Sequence, residues 1–223
     1  MADAKDSALP TLTGANVDTA ADYLRIVDIS VTTSKKILVD EIAKAVVRAS
    51  ISVIQTIWVP ATAMLSRTTL GAAAGSSETA TNKVMIRTLD FDAAANEFAQ
   101  FSIRMPKDWD EGTITAEFYW SHAATTVNFA AIWGLQGVAV SNDDTMEVAF
   151  GTAQTVTDTG GTTNDIYVTA ATSAMTIAGT PAVDDLCLFQ VYRDAAAGGD
   201  TLAIDARLHG VAIFFTVNVL TDI

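Results

Sequence analysis

Cysteine is nearly missing from this chain: Cys187 is the only one in 223 residues. No internal disulfide can form, so the fold must stand on its core. A chain of this length buries about 70% of the surface that its unfolded form exposes, which is enough. Histidine is almost as scarce, with His122 and His209 alone. That leaves little for a histidine metal centre, although a threefold axis could gather copies of either one. No G-x-S-x-G elbow exists to present a serine nucleophile.

Charge is sparse. Only 17% of residues are charged, while 50% are apolar. Ordinary domains carry about a quarter charged residues. A surface this poor in charge implies that much of it meets other protein. Positive charge is scarcest: 13 Lys and Arg face 26 Asp and Glu, a net charge of −13. Residues 1–50 hold six basic and seven acidic side chains, so the acidity lies in 51–223. Such a field repels phosphate backbones and anionic headgroups, which excludes nucleic acid and membrane insertion as expectations. Long apolar runs are missing too. The uncharged stretch "SHAATTVNFAAIWGLQGVAVSN" is broken by polar residues and glycine, unlike a membrane span. "MADAKDSALP" is polar where a secretory signal would be apolar.

What is present is alternation. In "FAQFSIRM", Ala99, Phe101, Ile103 and Met105 share a face. In "TITAEFYW", Ile114, Ala116, Phe118 and Trp120 do the same. Cys187, Phe189 and Val191 form a row in "DLCLFQVYRD", and Val211, Ile213, Phe215, Val217 and Val219 form another. A period of two marks half-buried antiparallel strands. With "ISVIQTIWV", "NKVMIRTLDF", "AAIWGLQGVAV", "TMEVAF" and "DIYVTA", about nine strands are expected after residue 50. Turn clusters such as "SNDD", "DTGGTTND" and "DAAAGGD" separate several of them. "GAAAGSSETATN", Gly71–Asn82, reads as a loop. The expected fold is all-β, an antiparallel β-sandwich of jelly-roll type over residues 51–223. Ahead of it, residues 1–21 read as an extended arm. Residues 22–50 read as a small β-β-α module: "YLRIVDIS" and "KILV" as strands, "DEIAKAVVRA" as a helix capped by Asp40.

The densest chemistry is "MPKDWDEGTITAEFYW". Glycoside hydrolysis needs two carboxylates facing across a sugar, and Asp108, Asp110, Glu111 and Glu117 offer candidates. Pro106 and Gly112 bracket turn chemistry, however, so the acids fit a solvated loop, with Glu117 on the outer face of a strand. Trp109 and Tyr119 fall outside the apolar rows. They read as outward aromatics, available for a subunit contact or a sugar platform, and the low charge favours the contact. His122 reads as a loop residue and His209 as a packed or interface histidine. Cys187 reads as a buried, inert thiol. Acid pairs Asp90 with Asp92, Asp143 with Asp144, and Asp194 with Asp200 lack calcium-loop spacing and read as solvated turns. No catalytic residue, metal or cofactor is expected.

Two segments carry a resemblance. Asp22–Ser30, "DYLRIVDIS", and Ser34–Ile42, "SKKILVDEI", follow a small-residue arm. The pattern resembles the N-terminal modules of tailed-bacteriophage virion proteins such as fibres and head appendages. Ser34 stands where Thr is frequent there, and Ile42 where Leu is. The body, from "IWVPATAM" through "LDFDAAANEFAQFSIRMPKDWDEGT" to "DARLHGVAIFFT", is similar to a group of proteins of marine phages and prophage regions. The resemblance implies a virion-surface structural protein, a homotrimer anchored to the major capsid protein or another virion protein. Attachment would fall on Leu9, Leu12, Tyr23, Ile26, Ile37 and Val39. A capsid decoration (cement) or head-appendage protein fits the short chain; a tail fibre or an adhesin for host-surface carbohydrate is the alternative.

Overall fold

The computed structural model describes residues 23–28, 33–38, 53–123, 129–182 and 184–217. The chain divides into two compact units, Met1–Ile51 and Ser52–Ile223. In the first, β1 (Tyr23–Asp28) pairs antiparallel with β2 (Thr33–Leu38), Tyr23 opposite Leu38 and Leu24 opposite Ile37. Tyr23, Ile26 and Ile37 therefore lie on this hairpin. The arm, the helix and residues Leu9, Leu12, Val39 and Val219 lie outside the described residues.

The second unit is an antiparallel jelly-roll β-sandwich. Its strands are β3 (Val53–Pro60), β4 (Leu65–Ser66), β5 (Ala73–Glu78), β6 (Met85–Phe91), β7 (Glu97–Arg104) and β8 (Thr115–His122). After these come β9 (Phe129–Val140), β10 (Gln154–Gly160), β11 (Tyr167–Val168), β12 (Leu186–Arg193) and β13 (Ala206–Val217). One sheet runs β10-β9-β12-β7-β4. The other runs β11-β8-β13-β6-β5, with β3 also on β13. Successive strands from β6 to β9 alternate between sheets, which is what brings both inner faces onto one core.

The alternating rows behave as their period dictates. Ile114, Ala116, Phe118 and Trp120 are buried, as are Cys187, Phe189 and Val191, and Val211, Ile213, Phe215 and Val217. Trp133 from β9 joins the sheets: it stacks on Phe118 at 5.8 Å and meets Phe91 edge-on at 5.2 Å. Burying a Phe118-sized side chain contributes about 1.5–3 kcal/mol.

Four local readings change. "GAAAGSSETATN" is not a loop throughout, because Ala73–Glu78 forms β5 against β6. Small residues give no strand signal, but a neighbour's unpaired backbone recruits them. "TMEVAF" is not a strand, and its Met146 is exposed. "DIYVTA" contributes only Tyr167 and Val168. Gln154–Gly160, "QTVTDTG", is a strand that polar composition conceals.

One device organises the second sheet. β13 pairs with β8 along one edge. On its other edge Ala206–Leu208 pair with β6, and Gly210–Val217 pair with β3. The register with β8 shifts between Leu208 and Gly210. His209 is the extra residue of this bulge, and a bulge re-aims a side chain.

Candidate functional site

The outer face of the β8–β13 sheet holds a set of polar groups around a concavity. β8 alternates, so Tyr119 and Ser121 face outward between inward Phe118, Trp120 and His122. Across the sheet Ser121 is opposite Arg207. The bulge turns His209 toward Ser121, and Nε2 lies 2.9 Å from Oγ. Ser121 is 5% exposed, covered despite its outward position. Burial, then the charge of Arg207, lowers the pKa of His209, against an opposing pull from Asp90. The imidazole is therefore neutral at pH 7, one nitrogen donating and the other accepting.

Arg207 Nη1 donates to Asn164 Oδ1 at 3.1 Å. Asn164 sits in the left-handed region, φ 61°, which asparagine tolerates. Its backbone N–H donates to the His122 carbonyl at 2.8 Å. The same loop is pinned by Tyr167, whose hydroxyl accepts from the Gly161 N–H at 2.9 Å and donates to the Thr162 carbonyl at 2.9 Å. Ser121, His209, Arg207 and Asn164, with Glu78 from the end of β5, line a cavity of about 480 Å³. A second cavity of about 420 Å³ shares Arg207 and Ala123 with it, and adds Asp90 and Asp205. Burial, then the charges of Asp92 and Asp90, raises the pKa of Asp205.

The wall of that second cavity is built by an ion pair that sequence reasoning missed. Arg193 is fully buried. It grips Asp200 with two hydrogen bonds, Nε–Oδ2 2.9 Å and Nη2–Oδ1 2.7 Å. It also donates to the carbonyls of Leu202 and of Ile204, the latter at 2.7 Å. Asp200 is thus no solvated turn residue. Asp194 accepts from Asn96 Nδ2, Asp92 caps the turn at Ala94 and Ala95, and Asp144 caps Ser141. Among the described residues no cluster of His, Cys, Asp or Glu is arranged to hold a metal ion.

The motif "MPKDWDEGTITAEFYW" divides. Trp109 does not face outward: it is 2% exposed, with its backbone bridged to Val217 and the Asp110 N–H donating to the Thr216 carbonyl at 3.0 Å. The turn folds back along the end of β13, which carries the indole into the core. Asp108 is buried as well, not solvated, and accepts from Gln55 Nε2 at 3.2 Å. Asp110 accepts from the Gly112 N–H. His122 is not a loop residue but a buried strand end, stacked on Tyr167 at 5.5 Å. Cys187 is buried, and desolvation then Asp185 push its thiol up to about 11.

Tyr119 lies on the outer face, where the edge of Trp58 meets it at 4.9 Å and 84°. Trp58 crosses Gly210, where a methyl would overlap the indole and stand 2.7 Å from the Val59 carbonyl oxygen. Only glycine admits that approach. Beside this pair Ile54 is 68% exposed and Trp58 48% exposed. Thr56, Phe214 and Thr216 continue the uncharged outer residues of β3 and β13, with Glu117 of β8 beside them opposite Ala212, and among the described residues β3 pairs with β13 alone.

No protein-family model matches the chain. No curated protein matches it in sequence. Its solved likenesses include a CBM36 domain of a xylanase from the hindgut metagenome of Trinervitermes trinervoides, at 12% identity and TM-score 0.37, over 71% of this chain and 96% of that one. Another is a family 11 carbohydrate-binding module from Clostridium thermocellum in complex with a mixed-linked tetrasaccharide, at 8% identity and TM-score 0.40, over 73% and 96%. A third is infectious bursal disease virus, at 10% identity and TM-score 0.35, over 90% of this chain and 38% of that one. None of these likenesses bears on what the present chain binds.

Proposed function

We infer that this chain is a non-enzymatic structural protein of a bacteriophage particle surface, whose N-terminal unit attaches it and whose sandwich projects. The observation that supports the reading is the outer face of β3 and of β13 from Gly210 to Val217, whose own residues carry no charge, with Glu117 of β8 beside it opposite Ala212. Ile54 and Trp58 stand exposed there beside Tyr119 and Phe214. A strand edge and an apolar face left open invite a second copy. A cyclic homotrimer would cover them three times over. The sequence resemblance of Asp22–Ser30 and Ser34–Ile42 to virion attachment modules supplies the setting. Within that setting the role we propose is capsid decoration or head appendage.

Electron microscopy of particles carrying a labelled copy tests the location. Many copies on the shell support decoration, a few at the tail support a fibre, and none on the particle refutes the reading. Light scattering of the purified chain tests the trimer: Trp58→Ser should shift it toward monomer. A second reading, a host-carbohydrate adhesin, draws on the polar cavity around Ser121 and Arg207.

A further inference from the structure

We propose that the cavity lined by Ser121, His209, Asn164, Arg207, Glu78 and Ile166 binds a neutral glycan, a ring with adjacent hydroxyls. The inference rests on the adhesin reading and names its site and ligand class.

The argument begins with what the lining offers. A sugar hydroxyl both donates and accepts, so it needs groups that do both. Ser121, neutral His209 and Asn164 do so. Arg207 supplies paired donors, and Glu78, whose Oε1 already pairs with Lys83 Nζ at 3.2 Å, supplies an acceptor, so neighbouring hydroxyls find both. Ile166 is 55% exposed at the rim and Ile86 lies beside it, giving an apolar patch for the ring's C–H face. The size, about 480 Å³, falls within the range of small-molecule clefts. The second cavity, which shares Arg207 and Ala123 with it, would take a further unit of a chain.

Charge selects against other ligands. Among the described residues that line the two cavities Arg207 is the one cation, with Lys83 held on Glu78 at 3.2 Å, while Glu78, Asp90 and Asp205 are acids. A phosphate or carboxylate would meet net repulsion in a chain of charge −13. A purely apolar ligand would strand Ser121, Asn164 and Arg207 without water.

The groups are also held in place before any ligand arrives. Ser121 is fixed by His209, Arg207 by Asn164, and Asn164 by its own backbone and the Tyr167-pinned loop. Preorganisation removes the ordering cost that weakens polar binding sites.

The test is a printed array of neutral and acidic oligosaccharides probed with the labelled full chain, with calorimetry on the strongest ligand. Binding to neutral glycans is expected. Asn164→Gly, which suits the positive φ and removes only the amide, should weaken it at least about tenfold. Ser121→Ala should weaken it less. Trp58→Ser should leave it unchanged. Preference for phosphorylated or carboxylated glycans overturns the proposal, as does no binding at all. So does binding that Asn164→Gly leaves intact while its thermal unfolding matches the parent. Particle location is read separately, so a virion protein with a silent array would sink the glycan site alone.

Discussion

Arg193→Ala should be the most damaging single change outside the apolar core. The side chain is buried with no exposed surface, and Asp200 is 1% exposed. Removing the guanidinium strands a buried carboxylate, whose remaining partner is the Ile132 N–H at 3.0 Å. Breaking such a pair from one side costs about 3–5 kcal/mol. The Leu202 and Ile204 carbonyls lose their donor as well, and a buried acceptor left unmade costs about 1–3 kcal/mol. Water entering the vacated volume offsets part of this, so about 5 kcal/mol is the expectation. A domain of this class has about 5–15 kcal/mol in total. The variant should therefore be marginal or unfolded at 25 °C. Arg193→Lys, which keeps one charge but not the fork, should lose about 2–3 kcal/mol. Urea unfolding followed by tryptophan fluorescence reads both, as a shift in midpoint at unchanged slope. The pair should also couple: Arg193→Ala with Asp200→Ala should cost less than the two single losses summed. A loss under about 1 kcal/mol for Arg193→Ala, or strict additivity, would refute the claim that this pair anchors the loop.

Other outcomes are as definite. Gly210→Ala should lose about 1–3 kcal/mol in the same assay, because Trp58 and the Val59 carbonyl cannot both move; an unchanged midpoint would mean the strands part freely there. Cys187 should resist a thiol reagent at pH 8 in the folded chain and react at once in urea, since its thiol is buried and raised to about 11. Its raised pKa protects the fold below the unfolded thiol's value of 9.0, and that contribution should disappear as pH climbs through about 11. His209 acts in the acid direction. Its folded pKa lies below the unfolded 6.5, so the neutral ring stabilises the fold above that pH, and the contribution is lost as pH falls through the folded value. The raised carboxyls of Asp205 and Glu97 oppose this, favouring the fold as pH falls toward their unfolded range. His209→Asn isolates the histidine part: wild type should lose more stability than the variant between pH 7.5 and 5, and the reverse order would contradict the assignment.

The sandwich was legible wherever one face of a strand is apolar and the other is not. β7, β8, β12 and β13 declare themselves, because burial on one side forces a period of two. β5 and β10 do not, since their residues are small or polar and their place comes from backbone pairing with β6 and β9. "TMEVAF" shows the converse: Met146, Val148 and Phe150 alternate, yet no strand receives them. Trp109 was misjudged for a similar reason. Its neighbours Asp108 and Asp110 look solvated, but Gln55 and the Thr216 carbonyl, both distant in sequence, take them in. A residue between two acids is read as exposed unless the partners of those acids are known.

The polar site lay further out of reach, and the reason is the bulge. Ser121 and His209 are 88 residues apart, on strands whose regular pairing would not direct the ring at the hydroxyl. One extra residue in β13 changes that. It also marks where β13 passes from β6 to β3, so Arg207 and His209 sit where two strands end against a third. β6 ends its pairing and β3 begins at the same place, and beside it the cavity is walled by Ser77 and Glu78 of β5, Ile86 of β6 and Asn164 and Ile166. The irregularity in the pairing of β13 with β8, beside the point where the other edge passes from β6 to β3, is therefore what brings imidazole and hydroxyl together in a cavity that amide and guanidinium also line.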